Sequence, residues 1–106
     1  APTLEAHRLL KAEGIASRVV SVPCIEWFES QDEAYRESVL PSAVRARVAV
    51  EAGIALPWYR WVGEAGRIVS LDHFGESVDG ARLFEKYGFT PENIAAQARE
   101  SIAAAH

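Results

Sequence analysis

The chain has 106 residues, 49% hydrophobic and 25% charged, with 11 basic against 15 acidic side chains and a single cysteine. That length bounds one domain with one core, and the net charge of −4 provides no field to draw nucleic acid or an anionic membrane. No apolar run reaches the roughly 18 residues of a membrane span, no secretory leader opens the chain, and Cys24 alone excludes an internal disulfide or a cysteine-based metal cluster. The cytoplasm is the expected compartment.

Residues 2–13 read as a helix: Pro2 sits in the first turn, Ala6, Leu9 and Leu10 share a face, and Gly14 stops it. Residues 18–22, R-V-V-S-V, follow as a strand closed by Pro23. A helix leading straight into such a strand is the second half of a β-α-β unit, whose first strand is then expected before residue 1. The opening Ala1-Pro2-Thr3-Leu4 has no initiator methionine and enters the helix at once, which also suggests a longer parent.

Cys24 to Phe28 reads as an apolar helical turn folding back on the sheet. Ser30 with Glu33 matches a capping box for a helix over 31–39, and Pro41 prevents its continuation. A strand at 47–51 ends near Gly53, Pro57 opens a short helix with Trp58, Trp61 and Val62 facing inward, and Gly63 and Gly66 frame a turn into a strand at 67–72. Ser77 or Asp79 caps a helix bearing Gly80, Leu83, Phe84 and Tyr87 on one face. Thr90-Pro91-Glu92 starts a C-terminal helix with Ile94, Ala98 and Ile102 buried. The three strand segments are apolar throughout, so a parallel sheet covered on both faces is expected: a three-layer α/β/α domain.

Chemistry is sought first at Glu51, Asp72, His73 and Ser77, where the strands of the 47–77 unit end. Asp72, His73 and Ser77 do not make a triad. Adjacent strand-end residues diverge, and no G-x-S-x-G elbow exists. His73 remains a candidate base or binding group in a crevice, against the plainer reading of a surface or interdomain histidine, and Ser77 reads as a helix cap. Glu26, Glu29, Asp32 and Glu33 read as a solvated helix start rather than a carboxylate pair or metal site. His7, His73 and His106 lie on unrelated elements, and no Walker A or G-x-G-x-x-G cradle is present. Cys24 reads as a buried structural thiol, and the three tryptophans as core and interface. The residues alone define an α/β domain without a self-sufficient active site.

The run 20–31, V-S-V-P-C-I-E-W-F-E-S-Q, the run 35–41, Y-R-E-S-V-L-P, and 47–53, R-V-A-V-E-A-G, resemble the C-terminal domain of bacterial-type transketolases. So do Gly66-Arg67-Ile68-Val69-Ser70, Phe74-Gly75-Glu76-Ser77, Leu83-Phe84 and Tyr87-Gly88-Phe89-Thr90, in order along the whole chain. The resemblance implies a third domain over 1–106, truncated at its N-terminus, of an enzyme that moves a two-carbon ketol unit from ketose to aldose phosphates. It implies thiamine diphosphate and Mg²⁺ or Ca²⁺ as cofactors of the complete enzyme, a homodimer, and upstream domains as partners. No catalytic, cofactor-binding or metal residue is expected within these 106 residues, nor activity of the chain alone. Of the five strands of that family's mixed sheet, order 1-3-2-4-5, segments 18–22, 47–51 and 67–72 would be strands 3, 4 and 5. Strand 2, the central one, would precede Ala1, leaving a gap to be filled by another segment or chain or closed by direct pairing of its neighbours. The competing reading is a free-standing interaction or small-molecule-binding regulatory domain, with an apolar patch at Trp27 and Trp58 and a crevice at Glu51 and Asp72.

Overall fold

In the computed structural model, which describes residues 2–51, 56–70 and 88–106, two parallel strands form the centre: β1 (Val48–Glu51) and β2 (Arg67–Ser70). The register sets Val48 beside Arg67 and Val50 beside Val69, and the ladder begins where the Arg67 amide donates to the Arg47 carbonyl at 2.9 Å. Strand side chains alternate between faces. Val48, Val50 and Val69 face one helix layer, α1 (Pro2–Ala12) and α5 (Pro91–Ala105), and pack there with Ala6, Leu10, Ile94 and Ala95. Arg47 and Glu51 point the other way, hydrogen-bonding to Trp61 and Trp58 of the segment that joins the strands. The expected three layers are present, and the two described strands are the parallel neighbours that the resemblance placed side by side.

Each helix ends as local chemistry dictates. Gly14, at φ +80°, closes α1 in a Schellman motif: the Ile15 amide donates to Leu10 O at 2.9 Å and the Gly14 amide to Lys11 O at 3.0 Å. α5 starts as expected, with Thr90 Oγ1 accepting from the Asn93 amide and Pro91 in the first turn. The connection after β1 is a 3-10 turn (Leu56–Trp58) running into α4 (Tyr59–Val62), whose Val62 is buried.

Three expectations are corrected. Residues 18–22 form no strand: the stretch is irregular, with Val19 and Val20 40% and 36% exposed, and β2 is the only strand bonded to β1 among the described residues. Its valines favour a strand, but a strand needs a ladder, and no described strand stands beside it to supply one. The capping box is displaced as well. Helix α2 (Ile25–Ser30) absorbs Ser30, whose hydroxyl donates to Trp27 O at 2.7 Å, so Asp32 caps α3 (Glu33–Val39) by accepting from the Tyr35 amide at 2.8 Å. An aspartate adjoining the helix outcompetes a serine already used within the previous one. Lastly, Cys24 is exposed rather than buried, its thiol directed at Glu26 Oε2 across 3.4 Å. The described part of β2 reaches Ser70, and the expected end of that strand and the helix after Ser77 lie outside the described residues.

Ser101 clips the layers together. Its side chain is completely buried, and its hydroxyl donates to Ala65 O at 2.6 Å while accepting from the Arg47 amide at 2.9 Å. One α5 hydroxyl therefore satisfies backbone groups at the start of β1 and in the turn before β2. Ser101→Ala leaves both without that partner in a space closed to water. We expect urea unfolding to show a loss of about 2 kcal/mol. An unchanged midpoint would mean that the clip contributes nothing.

Candidate functional site

The C-terminal end of β1 bears Glu51, half-buried, with Oε1 accepting from Trp58 Nε1 at 3.2 Å. The Pro57 turn swings Trp58 back over the strand from which it departs. Three residues later Trp61 repeats the device, its Nε1 donating to Glu29 Oε1 at 3.0 Å. Two acids that a sequence scan nominates for acid–base work or metal binding are thus tied to indoles, in contacts that fasten the α2 and α4 region to the strand end. Trp61 also meets Phe28 edge-on, centroids 5.0 Å apart, and carries the Arg60 guanidinium 4.6 Å from its own ring centroid. Trp58 and Trp61 are half-buried, whereas Trp27 is 62% exposed and Tyr59 61%. Of the tryptophans expected in core and interface, Trp27 is on the surface of the described residues and not in the core. It lies on α2, whose inward position is taken by Phe28.

Beside this lies a cationic knot that strand-end reasoning passes over. Arg47 donates from Nε to Val44 O at 2.9 Å, from Nη1 to Trp61 O at 2.5 Å, and from Nη2 to Pro41 O at 2.8 Å and Leu40 O at 3.2 Å. All four acceptors are backbone carbonyls. The arginine holds the chain leaving α3, the approach to β1 and the end of α4 in one place. Its neighbour Glu37 accepts from both the amide and the hydroxyl of Ser42, and with the more distant Arg47 charge these bonds hold its carboxyl below the ordinary value. The signal in the sequence is an arginine opening each apolar run. Arg18 donates to Val39 O, and Arg67 to Ala65 O and Gly66 O. These are guanidinium clamps on turns.

Of the four strand-end candidates, only Glu51 falls among the described residues; Asp72, His73 and Ser77 lie outside them. No group of three histidine, cysteine or carboxylate side chains is placed to hold a metal among the described residues, and the acidic run 26–33 spends Glu29 and Asp32 on an indole and a helix cap. No helix among them is long and apolar enough to cross a membrane. What fold and site define is an α/β/α domain whose one described strand-end candidate, Glu51, is engaged by the indole of its own connection.

Comparison with known proteins gives the domain its relatives. Residues 1–90 match the family described as the transketolase-like C-terminal domain, and the chain belongs to that family. Over 97 residues, 92% of the chain, it is 57% identical to the transketolase of Mycobacterium leprae (strain TN) and to transketolase 1 of Escherichia coli (strain K12). It is 54% identical to the transketolase of Mycobacterium tuberculosis (strain H37Rv) over the same length. The chain spans only 14–15% of these proteins' own length.

Proposed function

We propose that residues 1–106 act as the C-terminal domain of a cytoplasmic, homodimeric transketolase. Such an enzyme moves a two-carbon ketol unit from a ketose phosphate to an aldose phosphate with thiamine diphosphate and a divalent metal, in a site built by upstream domains and completed across the dimer. The observation that carries this reading is the identity of 57% over nearly the whole chain to proteins bearing that name. The state of Glu51 supports a bracing part: one of its carboxylate oxygens accepts the Trp58 indole N–H and ties the strand end to the segment that follows. In this reading Glu51, Asp72, His73 and Ser77 serve as contacts to neighbouring domains or as helix caps.

The test is direct. With xylulose 5-phosphate, ribose 5-phosphate, thiamine diphosphate and Mg²⁺, the 106-residue chain is expected to give no turnover above the protein-free rate, while the complete protein does. Turnover by the chain alone would place a catalytic centre within it and end this proposal.

A further inference from the structure

The chain's negative charge is concentrated on one small part of its surface. Residues 26–37 contain Glu26, Glu29, Asp32, Glu33 and Glu37 against Arg36 alone, and the remaining ten acids are matched by ten basic residues. The net −4 of the chain is therefore the charge of α2 and α3. Arg36 does not pair with these acids: its Nη1 donates to the Glu29 and Gln31 carbonyls and so locks the join between the two helices. Among the described residues an ion pair joins Arg99 to Glu13, and none of the five carboxylates takes part in one. The same two helices carry the exposed rings of Trp27 and Tyr35, the latter leaning on buried Phe28 with ring centroids 6.4 Å apart. Trp58 and Trp61 donate their indole N–H groups to Glu51 and Glu29, whereas that of Trp27 has no protein partner among the described residues.

We propose that the outer face of α2 and α3, with Trp27 and Tyr35 exposed on it, is a docking surface for a basic, arginine-bearing segment of another protein. Charge selects the sign of the occupant, since this face repels nucleic acid and anionic membranes alike. Spacing selects its form. No three histidine, cysteine or carboxylate side chains among the described residues converge to hold a metal, so charges spread along two helices suit cations spaced along a chain. The rings select arginine. The structure contains the same mode within itself: the Arg60 guanidinium lies 4.6 Å from the Trp61 ring centroid, while the edge of that indole donates to Glu29 Oε1 at 3.0 Å. A guanidinium over an indole with a carboxylate at hand gains from the ring's quadrupole and from the charge. Trp27 and Glu26, adjacent on α2, present that pair to a guanidinium from outside. Glu26 is held only by the 3.4 Å contact from the Cys24 thiol, and Glu33 has no bonded partner among the described residues. A partner main chain laid across the face supplies a carbonyl to the Trp27 N–H. The proposal concerns a surface and no step of ketol transfer, so it stands or falls independently of that reading.

Titration calorimetry of the complete protein at low ionic strength decides it, with two acetylated probe peptides, an Arg-Gly repeat and a Lys-Gly repeat of equal charge. The arginine probe should bind about threefold more tightly than the lysine probe. Trp27→Leu should abolish that preference, leaving the lysine probe's affinity and the thermal midpoint unchanged. Glu26→Gln with Glu33→Gln should weaken both probes, by about threefold for each charge removed, and binding should fade as salt is added. Equal affinities of the two probes for the parent protein would overturn the proposal. So would an arginine preference that survives Trp27→Leu. Failure of the complete protein to bind either probe would assign the face to a contact inside that protein and overturn it as well. Self-association in sedimentation, abolished by Trp27→Leu, would give the face to a second copy instead.

Discussion

Arg47→Ala should remove about 3 kcal/mol of stability, a shift of about 15 °C in the thermal midpoint of a domain this size. The guanidinium supplies four hydrogen bonds to Val44, Trp61, Leu40 and Pro41 carbonyls, and hydrogen bonds from a charged donor each contribute about 1.5–3 kcal/mol. The sum is not additive, because some orphaned carbonyls can turn to water at the adjoining surface. The residue nonetheless joins the end of α4 and the chain leaving α3 to the approach of β1, so its loss frees three connections at once. Arg47→Lys should recover no more than about 1 kcal/mol, since an ammonium cannot span both sides of a planar fork. Arg47→Met keeps the aliphatic stem and should behave like alanine to within about 1 kcal/mol if hydrogen bonding is the cause. A lysine variant as stable as the parent in thermal unfolding would show that charge alone suffices and that the fork geometry is irrelevant.

Much of the layering is legible in the order of residues, and the reason is periodicity. Ala6 with Leu10, and Ile94 with Ala98, recur at helical spacing, and all four lie in or against the core that Val69 completes. Gly14 and Thr90-Pro91 are readable because helix ends demand particular residues. The 18–22 stretch misleads for an equally physical reason: strand propensity reports that a residue suits a pleated surface, not that a neighbouring strand is present. The same limit hides Arg47. Its partners are backbone carbonyls at positions 40, 41, 44 and 61, and carbonyls carry no mark in a sequence. Glu51 stands out as a strand-end acid, but its engagement by Trp58 depends on how the Pro57 turn folds back. The sequence therefore names the candidates, while the turns decide which of them are free.

The turn before β2 provides the second large effect. A Cβ added at Gly66 would stand 2.3 Å from Val62 O, 2.4 Å from Val62 Cβ and 2.6 Å from Val62 C. Two of these three atoms belong to the backbone, so no rotamer change relieves the overlap. The Val62 main chain or the turn has to move. That turn sets the register in which Arg67 meets Arg47 and Val69 reaches the core, and displacing it loosens both the ladder and the Ser101 contact to Ala65. Gly66→Ala should therefore cost about 3 kcal/mol, at the upper end of overpacking penalties. Gly14→Ala is the contrast. Gly14 has φ +80° with nothing within 4 Å of an added Cβ, so only the left-handed backbone penalty applies, about 1 kcal/mol. Trimming Val62 to alanine in the Gly66→Ala background should not restore stability, because the carbonyl oxygen, the nearest atom, remains. Urea midpoints for the three variants decide the matter. If Gly66→Ala were no worse than Gly14→Ala, the close approach of the α4 backbone to this turn would not be what fixes the position of β2.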